Sequence, residues 1–353
     1  MANYQKWAGN RQSLWKGACD MTNLKVGVIG AGWFGDIHCS AIAGVPGLEL
    51  VALADRDGAR LKEIGGQYGV AALHEDYRDL LADSAIDIVH IVTRWDSHAE
   101  IATAALAAGK HVLLEKPMAP TVAECEQICD AAREAATYLM VGHVCRFNPR
   151  CIAARKEIAA GSIGRIVSLN GRRNVPAAWA ANALDKVSPV SDTAIHDTDL
   201  MQWFSGSNVV SAYTQTVRVN DYVHPDMFQI MYRFENGATA VYESAWLMPD
   251  TAPFMIDERM HVIGSEGFVQ VQDTFPNLGL CTPTGFTCPD TTYWPMVDGI
   301  TGGALKDEIM YFAGCVARGE RPDVITPEES LAAMRAVLAA EESAKTGEIV
   351  KIG

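Results

Sequence analysis

Along the first 145 residues, apolar positions come in short unbroken runs separated by stretches where they return every three or four residues. Runs of that length bounded by turn residues predict buried strands, and the wider spacing predicts helices covering them. The expected order is strand 24–30, helix 32–45, strand 48–54, helix 57–68, strand 86–92, helix 97–108, strand 110–115, helix 121–136 and strand 138–142. Such alternation predicts βαβ units and a parallel sheet, with functional side chains just past the carboxyl ends of the strands. After a helix at 149–160 the pattern becomes apolar-polar alternation. Segments 166–174, 208–217, 226–235, 238–247, 259–264 and 267–272 predict a large, mostly antiparallel open sheet, with tight turns at Asn236-Gly237 and Ser265-Glu266-Gly267. Further helices are expected at 192–205, 303–318 and 327–345, the last opened by Thr326-Pro327-Glu328-Glu329.

The turn after the first strand changes this from a fold into a site. Leu24 to Gly35 reads LKVGVIGAGWFG, with Gly30, Gly32 and Gly35 spaced G-x-G-x-x-G where strand becomes helix. The first glycine makes the bend, the second admits a diphosphate, and the third lets helix pack on strand. Trp33 and Phe34 fill the variable positions. The second apolar run, 49–54, closes on Asp55, 20 residues past the last glycine (55 − 35), where a carboxylate would meet an adenosine ribose. Asp55 favours NAD; Arg56 beside it would pair with the extra phosphate of NADP. The expected fold class is therefore an α/β Rossmann domain at 23–145, followed by an α+β domain at 146–353, with residues 1–22 as an N-terminal extension. The C-terminal helix is allowed to pack back on the first domain.

Two domains suit a chain of 353 residues. The net charge of -14 disfavours nucleic acid and anionic membranes as partners. No apolar run reaches the roughly 18 residues of a membrane span, and 1–22 lack a signal-peptide core, so a soluble cytoplasmic protein is expected. Nine cysteines show no metal-ligand spacing, and no metal is expected.

Three strand ends carry candidate chemistry. Thr93-Arg94-Trp95-Asp96-Ser97-His98 follows the strand at 86–92, with Ser97 able to cap the next helix. Glu115-Lys116-Pro117 follows 110–115 and would project Lys116 into the crevice, the alternative being a solvated surface lysine. His143 and Arg146 follow 138–142. Further on, Asp192, His196 and Asp199 recur at three- and four-residue spacing on a helix, which places them on one face. A histidine there suits a general base, since its ordinary pKa is about 6.5. The alternative is an aspartate cap followed by a packed histidine.

From Leu24 to Gly353 the sequence resembles the glucose-fructose oxidoreductase / inositol dehydrogenase / MocA family. The resemblance rests on the glycine turn, Glu115-Lys116-Pro117, the Asp192-x-x-x-His196 pair and the closing Ser343-Ala344-Lys345-Thr346-Gly347. The stretch 191–199 and the Asn174-Val175-Pro176 loop look most like the inositol dehydrogenase branch. The resemblance implies an NAD-dependent dehydrogenase oxidising a secondary hydroxyl of a cyclitol or sugar. Lys116 would touch the substrate hydroxyl and nicotinamide, Asp192 would bind a hydroxyl, and His196 would be the acid/base. It implies cofactor contacts from the glycine turn, Asp55, Arg56, Thr93, Arg94, Trp95, His98, Glu115 and Lys116. Substrate contacts would come from Lys116, His143, Arg146, Asn174, Asp192 and His196. A homodimer or homotetramer through the second-domain sheet is implied as well. Arg94-Trp95 replaces the usual proline after the threonine, and Ser188-Pro189-Val190 replaces glycines. Arg94, Arg172 and Arg173 would suit an acidic sugar derivative, or else pair with the chain's own acids. A glycosidase-like enzyme that retains NAD, and a nucleotide-sensing protein that would have lost the lysine or histidine, are the competing functions.

Overall fold

A computed structural model of the chain describes residues 23–272 and 278–353, and the expected extension at 1–22 lies outside them. The chain divides into two compact units, one running to Asn148 and taking in Thr292–Leu331, the other made of Pro149–Thr291 and Ala332–Gly353.

The first unit is built on β1 (Leu24–Ile29), β2 (Leu48–Ala54), β3 (Ala72–His74), β4 (Ile88–Ile91), β5 (His111–Glu115) and β6 (Leu139–Gly142). All pair in parallel in the order β3-β2-β1-β4-β5-β6. Helices Trp33–Ala43, Gly58–Tyr68, His98–Ala107 and Val122–Glu134 alternate with the strands. Side chains such as Val26, Leu53, Val89, Leu113 and Val141 are sealed from water, which is why these strands read as unbroken apolar runs. The chain steps outward from β1 to β3 and then restarts at β4 on the other side of β1. That reversal opens a crevice at the carboxyl ends of β1 and β4. The edge strand β3 and the helix Tyr77–Ala82 were not expected from the sequence. Three half-buried residues are too few for periodicity to register. Ser97 does not cap the following helix as expected; its hydroxyl donates to Thr93 Oγ1 and Arg94 O, both at 2.9 Å. Helix Gly303–Arg318 also belongs to this unit.

The second unit carries β7 (Ile166–Asn174), β8 (Val209–Val217), β9 (Met227–Phe234), β10 (Thr239–Ala245), β11 (Asp257–Gly264) and β12 (Phe268–Gln272). Two hairpins follow, β13 (Leu280–Thr282) with β14 (Gly285–Thr287) here, and β15 (Met296–Val297) with β16 (Ile300–Thr301) in the first unit. With β17 (Val350–Lys351) the sheet runs β12-β11-β7-β10-β9-β8-β17, antiparallel except between β7 and β10. One face is apolar and buried, with Phe228, Ile230, Tyr232 and Tyr242 on it; helices Pro149–Ala159 and Ile195–Ser205 pack against this sheet. The other face shows Met231 and Phe268, 55% and 66% exposed, among polar neighbours.

The helix Pro327–Thr346 opens with the reciprocal cap its sequence predicts. Glu329 N–H donates to Thr326 Oγ1 at 3.2 Å, and Thr326 N–H donates to Glu329 Oε2 at 3.0 Å.

Candidate active site

The three glycines of the turn are required for different reasons. Gly30 has φ of 101°, and a Cβ there would stand 2.5 Å from Val92 O. Gly35 packs so tightly on Gly30 O that any Cβ would collide. The protein's own backbone demands both. Gly32 is different: its backbone is extended (φ −65°, ψ −168°), and a Cβ there would have nothing within 4 Å. Glycine at this position keeps space free for something else. A diphosphate fits that space, facing a helix N-terminus that no side chain caps.

Around this turn lies a cleft of about 640 Å³. Of the residues expected from sequence, Gly30, Gly32, Asp55, Arg56, Thr93 and Arg94 line it. Sequence reasoning missed Glu75, Asp76, Tyr77 and Arg78 on its wall, because they lie on the unexpected β3-to-helix connection. Asp55 fastens the turn as well as facing the cleft. Its Oδ2 accepts Ala31 N–H at 2.6 Å and its Oδ1 accepts Asp57 N–H at 2.8 Å. The Arg60 guanidinium donates to Ala31 O at 3.0 Å, a brace the sequence did not reveal. Tyr77 lies under Arg78 and donates to Glu100 Oε1 at 2.6 Å, and burial pushes its phenol up to about 12.

Trp33, 63% exposed, stands at the start of the glycine-turn helix with its ring 6.2 Å from that of Trp294; Phe34 lies 5.6 Å from Trp294. Trp95 is half-buried on a short turn before His98. His98 itself is sealed, Nδ1 3.0 Å from Pro117 O and Nε2 3.0 Å from Thr93 O. Burial pulls its pKa down, against the pull of those carbonyls. Lys116 follows β5, and its N–H donates to the buried Glu115 carboxylate at 3.1 Å. His143 and Arg146 are 1% and 2% exposed. His143 Nε2 lies 3.1 Å from Ser330 Oγ, and Arg146 donates to Val324 O at 2.7 Å and Glu329 Oε2 at 3.0 Å.

In the second unit, a π-helical turn over Val190–Ala194 runs into helix Ile195–Ser205. Pro189 occupies the N-cap, so Asp192 sits inside the turn and is not the cap. Asp192 and His196 are half-buried, whereas Asp197 and Asp199 are sealed. Asp199, expected on one face with Asp192 and His196, is closed to solvent. Wide π-helical turns often mark functional positions. Asn174 spends its amide on Asp257 Oδ2 at 3.2 Å and on Ala245 N–H at 2.8 Å. Arg172 donates to Asp257 at 2.8 Å, and the buried Arg173 donates to Asp197 and Glu258, each at 2.7 Å. These two arginines pair with the chain's own acids, and burial pushes the Asp197 carboxyl up. Arg94 is exposed and donates to Asp96 at 3.2 Å.

Comparison with known proteins agrees with the turn and the two sheets. A model of the oxidoreductase family with NAD-binding Rossmann fold (GFO_IDH_MocA) matches residues 24–143, and the GFO/IDH/MocA C-terminal domain matches 151–270. An inositol 2-dehydrogenase from Saccharopolyspora erythraea is 30% identical over 255 residues, covering 70% of this chain and 73% of that one. The NAD-dependent scyllo-inositol 2-dehydrogenase of Bacillus subtilis is 26% identical over 338 residues, 93% of this chain and 96% of its own length. The structure of scyllo-inositol dehydrogenase from Lactobacillus casei with bound NAD(H) and scyllo-inositol shares the fold, with a TM-score of 0.81 at 23% identity, covering 94% of this chain and 99% of that one. The chain belongs to the Gfo/Idh/MocA family, and it is an NAD-dependent oxidoreductase acting on CH–OH groups. Among the described residues no helix is long and apolar enough to cross a membrane.

Proposed function

We propose that this enzyme oxidises one secondary hydroxyl of a cyclitol or closely related sugar to a ketone, reversibly. Relatives that bear inositol dehydrogenase names, matching over 93% and 75% of this chain, support the substrate class. The observation that carries the site assignment is the exposure pattern of 189–204. Between 189 and 202 Asp192 and His196 are the partly open side chains, and the residues around them are sealed.

Oxidising an alcohol needs a base for the hydroxyl proton while hydrogen leaves the same carbon. His196 takes that proton. Asp192 orients the imidazole or holds a neighbouring hydroxyl, and Lys116 polarises the oxygen that becomes the carbonyl. Bound NAD supplies the hydride acceptor, so the protein's task is placement. Gly32 and the helix N-terminus behind it would hold the diphosphate, and Asp55 the adenosine ribose. The pairing of Arg172 and Arg173 with carboxylates argues against a dedicated site for an acidic sugar. The test is a panel of inositols, aldoses and uronic acids with NAD and NADP, followed by cofactor absorbance. Turnover confined to uronic acids, or to NADP, would overturn the reading.

The exposed apolar side chains on the open sheet face, Met231, Val241, Ile263 and Phe268, support assembly through that face. A wild-type protein that sediments as a monomer would count against it.

A further inference from the structure

Three histidines of the first unit have no part in the chemistry proposed above, and His38, His90 and His98 are each 1% exposed or less. His38 lies three residues past Gly35 on the glycine-turn helix. Its Nδ1 is 3.2 Å from His90 Nδ1 on β4, and its Nε2 is 3.1 Å from Glu115 Oε1 at the end of β5. The second Glu115 oxygen accepts the backbone N–H of Lys116 at 3.1 Å. On the other side of Lys116, Pro117 O lies 3.0 Å from His98 Nδ1. β6 makes room for this carboxylate: Gly142 pairs with Glu115, and a Cβ there would stand 2.7 Å from Glu115 Oε1.

The direction of donation follows from the groups. A carboxylate only accepts, so His38 donates through Nε2. Burial holds the His90 pKa well below its ordinary value, so His90 is neutral. His38 Nδ1 and His90 Nδ1 share the remaining hydrogen bond, so the chain links His90, His38 and Glu115. Phe34 meets the His38 ring edge-on at 5.0 Å and holds its other side. Buried polar chains of this kind rigidify what they join when every link is made. Here they join the helix behind the glycine turn to the residue immediately before Lys116.

From this we infer that His38 is a positioning residue. Through the Glu115 carboxylate it fixes the backbone from which the Lys116 ammonium projects, and ties that backbone to the helix whose N-terminus faces the diphosphate. The inference rests on Lys116 acting on the substrate hydroxyl.

The test uses His38→Leu, His38→Gln, Lys116→Met and the double variant His38→Leu/Lys116→Met in the full chain, with NAD and scyllo-inositol. His38→Leu is expected to lower kcat about 10- to 100-fold, the scale of a slightly misplaced catalytic group, while calorimetry finds NAD bound within about threefold of wild type. His38→Gln, whose amide still donates to Glu115, recovers most of the loss. In the Lys116→Met background His38→Leu costs nothing further, because it acts through the lysine. Wild-type kcat in His38→Leu, no recovery in His38→Gln, or fully additive losses in the double variant would overturn the inference. Full turnover in Lys116→Met would instead sink the catalytic reading of the lysine, and with it this one. Where His38→Leu does not fold, Glu115→Gln, which keeps the shape and loses the charge, is held to the same criteria.

Discussion

Substituting Gly32 separates what the fold needs from what the cofactor needs. Its extended backbone suits any residue, and nothing lies within 4 Å of a Cβ placed there. Gly32→Ala should therefore leave the cofactor-free protein as stable as wild type, or more stable by up to about 1 kcal/mol, since alanine restricts the unfolded chain. The methyl group occupies the space assigned to the diphosphate. Losing one charge-assisted N–H bond to a phosphate oxygen costs about 1.5 to 3 kcal/mol, which converts to roughly 10- to 150-fold weaker NAD binding. Gly35→Ala, whose Cβ would collide with Gly30 O, should melt well below wild type instead. Thermal melts without cofactor and calorimetric titration with NAD measure the two effects separately. Wild-type NAD affinity in Gly32→Ala, or a melting point as low as that of Gly35→Ala, would refute the placement of the diphosphate.

Lys116→Met and His196→Asn should each lower kcat by about a hundredfold or more, the scale of a positioned acid or base, as steady-state kinetics would show. Asp55→Ala should weaken NAD relative to NADP in paired titrations. It should also cost about 1 to 3 kcal/mol of stability, because Ala31 N–H and Asp57 N–H lose their acceptor. His90, whose folded pKa is depressed by burial, contributes stability that is full above its ordinary value of 6.5 and lost as pH falls below it. In His90→Phe, denaturant melts from pH 6.5 downward should show a slope shallower by about 1.4 kcal/mol per pH unit.

Apart from the edge strands β3 and β17, the strands of both sheets were legible because each face imposes its own period. Mainly apolar runs marked β1, β4 and β5, and alternation marked β9 and β10. The glycine turn was legible because two of its glycines answer to backbone geometry alone. What sequence hid was partnership across strands. Alternation implies that Arg172 and Arg173 face opposite ways, but only the pairing of β7 with β11 brings them Asp257 and Glu258. The same holds for His38, His90 and Glu115, which meet from three separate elements. Spacing put Asp199 on one face with Asp192 and His196 but could not show that it is sealed, because its helix is buried around most of its circumference.

Net oxidation of a polyol by bound NAD, with His196 as base, can be read in a single turnover: enzyme loaded with one equivalent of NAD, mixed with scyllo-inositol, with NADH and ketone quantified together. One NADH and one ketone should form per inositol consumed, and neither on the same timescale in His196→Asn. No net NADH from scyllo-inositol, or equal NADH formation by the variant, would contradict it.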